Sequence, residues 1–456
     1  MNPGTIDPYA PSAYKVFFVS LGCAKNQVDT EIMLYALQEK GFSLTQEADE
    51  AEVVVINTCS FIESAVQESI ETILEAARLK QEGACKVLAV TGCFPQRYKR
   101  KLVKQMPEVD LFLGTESFPR LATHLWKLLS GKKTSKISLT SDGDLWGNPQ
   151  QRLLTTWPGT AYLKIAEGCS NHCSYCTIPT IRGPFRSRDP QVLIREARDL
   201  VARGVREIIL IGQDITAYGA DLNPPFPLED LTRFFLKNGS FDWLRLLYLR
   251  PERITRDLLD LIAGENKICP YLDIPIQHAS DRVLKAMHRP YGHKDLDTLM
   301  QKIRKTVPQA ALRTTLMVGF PGETEADFQE LLNFVSEVRF DHLGVFQYSP
   351  EEGTTAAALP DQIPKEISRS RLERLMEKQK GISYKKNQER VGTVEPVLVS
   401  GTSPESDLLI IGHTRFQAPD VDGVVYITDG EPAVGEIVRV KINEAHDYDL
   451  VGEVVS

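Results

Sequence analysis

Three cysteines lie close together in one stretch, and their spacing constrains the fold more than any other feature of the chain. Cys169, Cys173 and Cys176 form a C-x3-C-x2-C pattern in the segment AEGCSNHCSYCTIP. A closed structural zinc site takes four ligands, whereas an iron–sulfur cubane held by three cysteines leaves one iron open. The spacing therefore favours a cluster with an open iron. The alternative is a zinc knot completed by His172 or by a distant ligand.

The same motif has an aromatic residue, Tyr175, before its last cysteine, and in this it resembles the signature of radical S-adenosylmethionine (SAM) enzymes. The resemblance implies that the open iron chelates the amine and carboxylate of SAM. An electron from the reduced cluster would then split SAM into methionine and a 5′-deoxyadenosyl radical.

A second set of cysteines follows three apolar, strand-like runs near the N-terminus. Cys23, Cys59 and Cys93 end the segments FFVSLGC, VVVINTC and LAVTGC. Because the loops after parallel strands gather along one edge of a sheet, we expect these thiols to converge. Converging thiolates again suit a cubane, and the alternative is three unrelated buried cysteines. Cys85 and Cys269 lack this context and are expected to be packing or surface residues.

Composition indicates a multidomain globular chain. Its 456 residues give room for about three domains, and its 42% hydrophobic and 25% charged residues are ordinary values. The sequence has no run of about 18 apolar residues, the length needed to span a membrane, and its N-terminus lacks the apolar region of a signal peptide. We therefore expect a cytoplasmic protein whose thiols stay reduced and serve as metal ligands. The sequence does not decide the oligomeric state, for which a monomer is our working expectation.

The order of apolar runs predicts an α/β protein with three folded regions. A disordered tail at 1–13 precedes an open parallel-sheet domain at 14–147, where strands alternate with helices. Six βα units at 148–390 predict a partial TIM-type barrel, which carries its site at the strand C-termini. Short alternating runs at 391–456 predict a small all-β barrel. The predicted strands are Lys15–Ser20, Glu52–Ile56, Lys86–Val90, Ala161–Ile165, Glu207–Ile211, Leu244–Leu249, Tyr271–Ile274, Arg313–Val318 and Leu343–Gln347, and the first two predicted helices are Glu31–Glu39 and Ser64–Lys80.

Two cluster sites in this order resemble the radical SAM methylthiotransferase family, from about Tyr14 to Gly452. The resemblance implies an N-terminal methylthiotransferase domain with an auxiliary cluster, a radical SAM core, and a C-terminal TRAM domain, which is OB-like. It further implies two 4Fe–4S clusters, SAM, and an electron donor such as flavodoxin or ferredoxin. One SAM would methylate a sulfur at the auxiliary cluster, and a second would supply the radical at the barrel cluster.

The resemblance also implies where SAM is held. The expected cofactor-binding residues are Tyr175, Gly212, Gln213, Asp214, Gln277, Arg313 and Gly319. The Gly-Gln-Asp run ends the second barrel strand and resembles the Gly-Gly-Glu element that contacts the methionine amine. Arg313 suits a carboxylate through its planar fork, and Gly319 with Gly322 permits close backbone approach to ribose or adenine. For each residue the alternative is turn geometry or a structural pair.

Four further residues are candidates near the site. His278 could hydrogen-bond the substrate. Arg182, Arg186 and Arg188 follow the cysteine loop in IRGPFRSR, which favours a role near SAM or an acidic substrate. The alternative for the arginines is a solvated run of charge.

Several segments resemble the branch of the family that modifies a ribosomal protein, the RimO branch, rather than the transfer-RNA branch. They are GCAKNQVD around Cys23, NTCSFIESAVQESI, TGCFPQRY, LRTTLMVGFPGET and YSPEEGT. Ala24 departs from the proline common in that branch. The resemblance implies a methylthio group inserted at the β-carbon of one aspartate in small-subunit ribosomal protein twelve.

The charge distribution agrees with a protein substrate. Residues 391–456 carry twelve Asp or Glu and three Lys or Arg, a net charge of −9, whereas the other residues net +1. Such a module would repel RNA phosphates and attract a basic ribosomal protein, for which Asp420, Asp422 and Asp429 are the expected contacts. The alternatives are the same chemistry on a transfer-RNA adenosine, and a non-catalytic RNA-binding protein with zinc at both cysteine sets.

Overall fold

The computed structural model describes residues 14–140, 146–147 and 151–455. The tail expected at 1–13 and part of the stretch before the core therefore lie outside the described residues. Contacts divide the chain into two compact units. The first comprises the chain up to Thr155 together with Gly168–Ser170 and Thr177–Pro184, and the second comprises Thr156–Glu167, Asn171–Cys176 and the chain from Phe185 onward.

The first unit is built on a parallel sheet, as its alternating runs predict. Its strands are β1 Lys15–Ser20, β2 Ser43–Leu44, β3 Val53–Thr58, β4 Val87–Gly92, β5 Leu111–Leu113 and β6 Ile137–Ser138. Its helices are α1 Ala24–Glu39, α2 Glu63–Glu82, α3 Cys93–Tyr98, α4 Lys101–Gln105, α5 Leu121–Leu129 and α6 Ile178–Arg182. The strand order is β2-β1-β3-β4-β5-β6, and every paired strand is parallel to its neighbour.

The central strands of this sheet are buried on both faces. All six residues of β3 and all six of β4 are buried. Strands covered on both sides read as continuous apolar runs rather than alternating ones, which is why the sequence pattern locates them. Helix α1 begins at Ala24, seven residues before the predicted start, because its first turns carry buried polar residues in place of an apolar stripe.

The second unit contains the six predicted barrel strands in the predicted order, together with two short strands that were not predicted. The six barrel strands are β7 Thr160–Lys164, β10 Glu207–Ile211, β11 Trp243–Leu246, β12 Tyr271–Asp273, β13 Ala311–Val318 and β14 His342–Gln347, and the two short strands are β8 Ala166–Glu167 and β9 Arg186–Ser187. The helices are α7 Pro190–Ala202, α8 Leu228–Asn238, α9 Arg256–Gly264, α10 Asp281–Ala286, α11 His293–Thr306, α12 Glu325–Val338 and α13 Lys365–Gln388.

These strands form two parallel three-stranded sheets that meet at one seam. The orders are β11-β10-β7 and β12-β13-β14, while β8 and β9 make a separate antiparallel pair. Backbone bonds cross the seam from Cys269 N–H to the Leu244 carbonyl and from Leu249 N–H to the Asp273 carbonyl, both at 2.9 Å. The result is the incomplete six-stranded βα barrel that the sequence predicts.

The C-terminal segment closes into a five-stranded barrel, also as predicted. Its strands are β15 Val394–Ser403, β16 Ser406–Thr414, β17 Val425–Asp429, β18 Ile437–Ala445 and β19 Leu450–Val454, closed in the order β15-β16-β17-β19-β18. Inward-facing apolar residues such as Val397, Val440 and Ile442 fill its core. Within the described part of the chain, no helix is long and apolar enough to cross a membrane.

One stretch of the small barrel, the 413–422 segment, contacts residues at or near the start of all six core strands. The contacts are Tyr162 Oη to Asp420 at 2.8 Å, Glu207 to His413 at 2.6 Å, Arg245 to the Thr414 carbonyl at 3.2 Å, Tyr271 Oη to Asp422 at 2.6 Å, Arg313 to Asp422 at 3.3 Å and His342 to the Phe416 carbonyl at 2.8 Å. Protein therefore occupies the N-terminal end of the strand set. The C-terminal ends, where such folds carry their chemistry, remain for the site.

Candidate functional site

The N-terminal cysteines lie at the carboxyl ends of adjacent strands. Cys23 precedes α1 directly after β1, Cys59 follows β3, and Cys93 begins α3 at the end of β4. Because β1, β3 and β4 are neighbours in the sheet, their carboxyl ends share one edge. Burial, followed by the nearby thiols of Cys93 and Cys23, raises the pKa of Cys59 to about 12. The thiols therefore lie close enough to influence one another's charge.

Two glycines beside these cysteines are needed for close packing. Gly22 has φ +95°, and a Cβ placed there would lie 2.8 Å from Cys59 Cβ and 3.2 Å from Cys59 Sγ. Gly92 has φ +97°, and a Cβ there would collide with the Asn57 side chain. Glycine adopts this left-handed backbone without the strain that other residues suffer. The backbone before Cys23 thus packs directly on Cys59.

A buried arginine lies against the same thiols. Arg182, which ends α6, is 2% exposed and donates to Asp29 at 2.8 Å, to Asn26 at 3.2 Å and to Cys93 Sγ at 3.5 Å. Desolvation is the largest effect on the pKa of Cys23 and would raise it, but Lys25, Arg182 and two backbone N–H groups together lower it. Burial raises the pKa of Cys93, and Arg182 opposes that rise. The sequence predicted a role for Arg182 near SAM or an acidic substrate, but the side chain lies at the N-terminal cysteines.

This donor set suits a cluster better than a single ion. Cys23, Cys59 and Cys93 follow three adjacent parallel strands, and neighbouring strands stand about 4.8 Å apart. Zinc requires its ligands within about 2.3 Å of one centre, whereas the cysteines of a cubane each bind a different iron and stand further apart. Three thiols at one sheet edge, beside a buried cation, fit the second case.

The second cysteine set begins in a tight turn. The Cys169 N–H donates to the Gly183 carbonyl at 3.1 Å. The preceding Gly168 has φ +77°, and a Cβ there would collide with the Pro184 carbonyl. In the second unit, the Cys176 N–H donates to the Cys173 carbonyl at 3.1 Å, which forms a compact turn between these two thiols.

Two arginines that the sequence analysis missed contact the part of the cysteine motif that lies in the second unit. Arg250 donates to Cys173 Sγ at 3.7 Å, and Arg289 donates to the Tyr175 hydroxyl at 2.6 Å. Tyr175 is buried among apolar residues that include Met287 and Phe320. Burial is the main cause that raises the pKa of Tyr175 far above its ordinary value, so its hydroxyl stays neutral. The Tyr175 side chain therefore anchors the loop, and no local sequence pattern marks either arginine.

The predicted Gly-Gln-Asp element lies beside the cysteine loop. Asp214 accepts from Asn171 Nδ2 at 3.0 Å and from Thr216 Oγ1 at 2.5 Å, and it pairs with Arg253. Asn171 stands between the first two cysteines of the motif. Asp214 therefore fastens the loop, whereas the expected role was contact with the methionine amine.

The other residues of this group lie at the end of β10. Gln213 donates to Glu167 at 2.9 Å, and Glu167 pairs with Lys164 at 2.8 Å. Gly212 is buried, and a Cβ there would lie 3.3 Å from Ile215 Cγ2, so a side chain would require Ile215 to shift. Gln277 has φ +70°, a strained conformation for a non-glycine residue of the kind that persists at functional sites. Gly212, Gln213 and Gln277 remain candidates for SAM contact.

Two predicted cofactor residues have structural roles instead. Arg313 is the third residue of β13, near its N-terminal end, and its guanidinium pairs with Asp273 at 3.2 Å and with Asp422 at 3.3 Å. A Cβ at Gly319 would collide with Ser368 on α13. The glycine there allows a helix to pack, and the arginine fastens the two barrels together.

The predicted substrate contacts need similar correction. The Asp422 side chain is 1% exposed and is committed to the core, so it cannot bind a partner protein. Asp420 accepts from Trp157 at 2.9 Å and from Tyr162 at 2.8 Å. Asp420 and Asp429 are the exposed members of the three.

Two other site candidates are also interior residues. His278 is buried and accepts from the Ser280 N–H at 3.0 Å, and burial lowers its pKa to about 3, so it stays neutral. Arg188 pairs with Glu196 at 2.6 Å and donates to the Lys164 carbonyl at 2.7 Å. Its role is therefore that of a buried structural pair.

Known families match this chain in the same three regions. Residues 15–114 match the family described as Uncharacterized protein family UPF0004, residues 163–335 match the Radical SAM superfamily, and residues 391–455 match the TRAM domain. A curated relative from Geotalea uraniireducens, named ribosomal protein uS12 methylthiotransferase RimO, is 50% identical over 97% of this chain and 98% of its own. A relative of the same name from Geobacter sulfurreducens is 49% identical over 97% of this chain and 99% of its own.

Solved structures share the fold at low sequence identity. The radical SAM methyltransferase TsrM from Kitasatospora setae, with cobalamin and a 4Fe-4S cluster bound, has a TM-score of 0.56 at 14% identity and covers 84% of this chain and 80% of that one. The cobalamin-dependent SAM radical enzyme OxsB, with aqua-cobalamin and SAM bound, has a TM-score of 0.52 at 11% identity and covers 81% of this chain and 57% of that one. These likenesses describe the fold alone.

Proposed function

This chain belongs to the ribosomal protein uS12 methylthiotransferase RimO family, and from that premise we propose that it inserts a methylthio group at the β-carbon of one aspartate in uS12. The observation that carries the chemical part of the proposal is the placement of Cys23, Cys59 and Cys93 at one sheet edge. A second, independent thiolate motif is the other part that such chemistry requires.

The cysteines divide into an auxiliary set and a radical set. Cys23, Cys59 and Cys93 would hold one 4Fe–4S cluster, and Cys169, Cys173 and Cys176 would hold the other. When bound, these clusters and SAM supply the sulfur group and the radical that activates an unreactive C–H bond.

The chain's own residues position these ligands. Tyr175 fixes the cysteine loop at 171–176 through Arg289, and Asp214 fixes the same loop through Asn171. Arg250 places a positive charge beside Cys173. Gly212, Gln213 and Gln277 lie at or after strand C-termini, and we propose that they contact SAM there.

The substrate surface of the small barrel differs from the one expected from sequence. Its exposed carboxylates include Asp429 at the end of β17, Glu431 and Glu436 in the turn between β17 and β18, and Glu444 near the end of β18. Because basic partners are drawn to such a surface by charge complementarity, we propose this turn as the contact for uS12. The exposed Val434, in the same turn, would add apolar contact.

Partners and setting follow from the reaction. Radical formation requires one electron at a time, so we propose a small electron-transfer protein such as flavodoxin or ferredoxin as donor. The enzyme would act as a monomer in the cytoplasm, where ribosomal proteins are synthesised.

The deciding experiment presents two substrates to the same reconstituted enzyme. Purified uS12 and bulk transfer RNA are incubated separately with enzyme, SAM and a reductant, and both are then examined by mass spectrometry. We expect one methylthio group in place of one hydrogen on a single uS12 aspartate, with the RNA unchanged. Modification of an adenosine in the RNA, with uS12 unchanged, would overturn the proposal. A Cys59→Ala enzyme serves as the control for non-enzymatic sulfur addition.

A further inference from the structure

Arg182 contacts a sulfur that the mechanism requires. We propose that Arg182 is a positioning residue that holds Cys93 and raises the reduction potential of the auxiliary cluster. This inference rests on the proposed function, because it concerns the cluster assigned there to Cys23, Cys59 and Cys93. It adds a residue that is not among the ligands and that the sequence analysis expected elsewhere.

The guanidinium is aimed by helix α1. One nitrogen donates to Asp29 at 2.8 Å, and the other donates both to Asn26 at 3.2 Å and to Cys93 Sγ at 3.5 Å. Because the guanidinium is planar and rigid, two anchors on α1 fix the direction of the remaining N–H. The contact between Arg182 and the Cys93 sulfur is therefore fixed by these two hydrogen bonds and is not a chance approach of a mobile side chain.

Charge neutralisation alone does not explain the sulfur contact. Arg152, in the same unit, is also fully buried and pairs with Glu31 on the same helix at 2.5 Å. That pair shows that one carboxylate of α1 is enough to neutralise one buried guanidinium in this unit. Arg182 has the equivalent carboxylate in Asp29 and still reaches a cysteine, so we infer a role for the sulfur contact itself.

The direction of the effect follows from electrostatics. Reduction adds an electron to the cluster and its thiolate ligands. A positive charge and an N–H hydrogen bond at a ligand sulfur stabilise that added charge, and such bonds are among the features that set cluster potentials. Arg182 should therefore raise the potential, and the carboxylate of Asp29 should oppose it.

The test isolates the auxiliary cluster in the full chain. Cys169, Cys173 and Cys176 are replaced with alanine, the protein is reconstituted anaerobically, and iron and sulfide are counted. The fraction of reduced cluster is then followed by electron paramagnetic resonance during a redox titration. Three variants are compared on this background: Arg182→Gln, Asp29→Asn and, as the matched control, Arg152→Gln.

We expect the two substitutions at this pair to move the titration in opposite directions. Arg182→Gln should lower the ratio of reduced to oxidised cluster at least tenfold at a fixed potential, which corresponds to 59 mV for one electron. Asp29→Asn should raise the ratio. Arg152→Gln removes an equivalent buried ion pair but no sulfur contact, so its ratio should stay within about threefold of the parent.

Each outcome decides the inference. Full iron with an unchanged ratio in Arg182→Gln would overturn it and leave the cluster assignment intact. If Arg182→Gln does not hold iron, Asp29→Asn and Arg182→Lys decide. The inference is supported if Asp29→Asn raises the ratio of reduced to oxidised cluster and Arg182→Lys leaves that ratio near the parental value. It is refuted if Asp29→Asn leaves the ratio unchanged. Absence of iron in the parent would overturn the proposed function and this inference together.

Discussion

Replacing Asp422 with asparagine should destabilise the protein by separating the small barrel from the core. Its carboxylate accepts from Tyr271 Oη at 2.6 Å, from the Ala418 N–H at 2.8 Å and from Arg313 Nε at 3.3 Å. Asparagine preserves the shape of the side chain but removes the charge. The change therefore tests whether this carboxylate is structural, as its contacts indicate, or serves to bind a basic partner.

The magnitude follows from burial and from the partner that remains. Removing one member of a buried ion pair costs about 3–5 kcal/mol. The Arg313 side chain keeps Asp273 at 3.2 Å and is 17% exposed, so part of this cost is recovered. We expect a loss of about 2–4 kcal/mol, or roughly 5–10 °C in the melting temperature of the second unit.

The assay is thermal and urea denaturation of Asp422→Asn beside Asp429→Asn, the matched control. Asp429 is exposed and accepts only from the Gly430 N–H at 3.0 Å among its described hydrogen bonds, so its substitution should change stability by less than about 0.5 kcal/mol. It should instead weaken binding of uS12 at low salt, with the difference disappearing as salt rises. Wild-type stability in Asp422→Asn with weakened uS12 binding would refute the structural assignment.

Three further predictions concern the two cluster sites. Cys173→Ala should abolish SAM cleavage, whereas Cys59→Ala should retain some cleavage but transfer no methylthio group, as measured by chromatography of 5′-deoxyadenosine and by mass spectrometry of uS12. Tyr175→Phe should keep its iron but lose about 1–3 kcal/mol of stability in denaturation, because its partly buried partner Arg289 loses an acceptor at 2.6 Å. Gly22→Ala should lose more than about half of the auxiliary iron, because the added Cβ would lie 2.8 Å from that of Cys59; Gly204→Ala, with φ +92° and no atom within 4 Å of the added Cβ, is the control for backbone strain alone.

Contrary results would identify which assignment is wrong. Methylthio transfer by Cys59→Ala would remove the auxiliary role from the N-terminal cysteines. Loss of iron in Tyr175→Phe would mean that the hydroxyl is required for cluster binding. Equal iron loss in the two glycine variants would mean that backbone strain, not the contact with Cys59, is responsible.

The sequence predicted those features that arise from local pattern. Buried parallel strands appear as continuous apolar runs, so Glu207–Ile211 was located to the residue. Cysteines at the ends of β1, β3 and β4 could be expected to meet because parallel topology fixes where such ends lie. The start of α1 was missed because Asn26 and Asp29 are polar yet buried.

Long-range pairing could not be predicted in the same way. Asp422 and Arg313 are 109 residues apart, and Asp214 and Arg253 are 39 apart. A sequence pattern shows that such groups are charged but not which opposite charge they meet after folding. The preference of Arg313 for carboxylates was predicted correctly, but the sequence did not show which carboxylates it meets. Arg313 was therefore expected to bind the carboxylate of a cofactor, whereas it pairs with Asp273 and Asp422.

The central claim is that one chain carries two clusters at two separate thiolate sets. Its most direct test is the content of iron and acid-labile sulfide per chain after anaerobic reconstitution, in the wild type and in Cys173→Ala. About eight irons falling to about four would agree with two cubanes. Four irons falling to none would mean that the N-terminal cysteines hold no cluster, and zinc in place of iron would contradict the account at both sites.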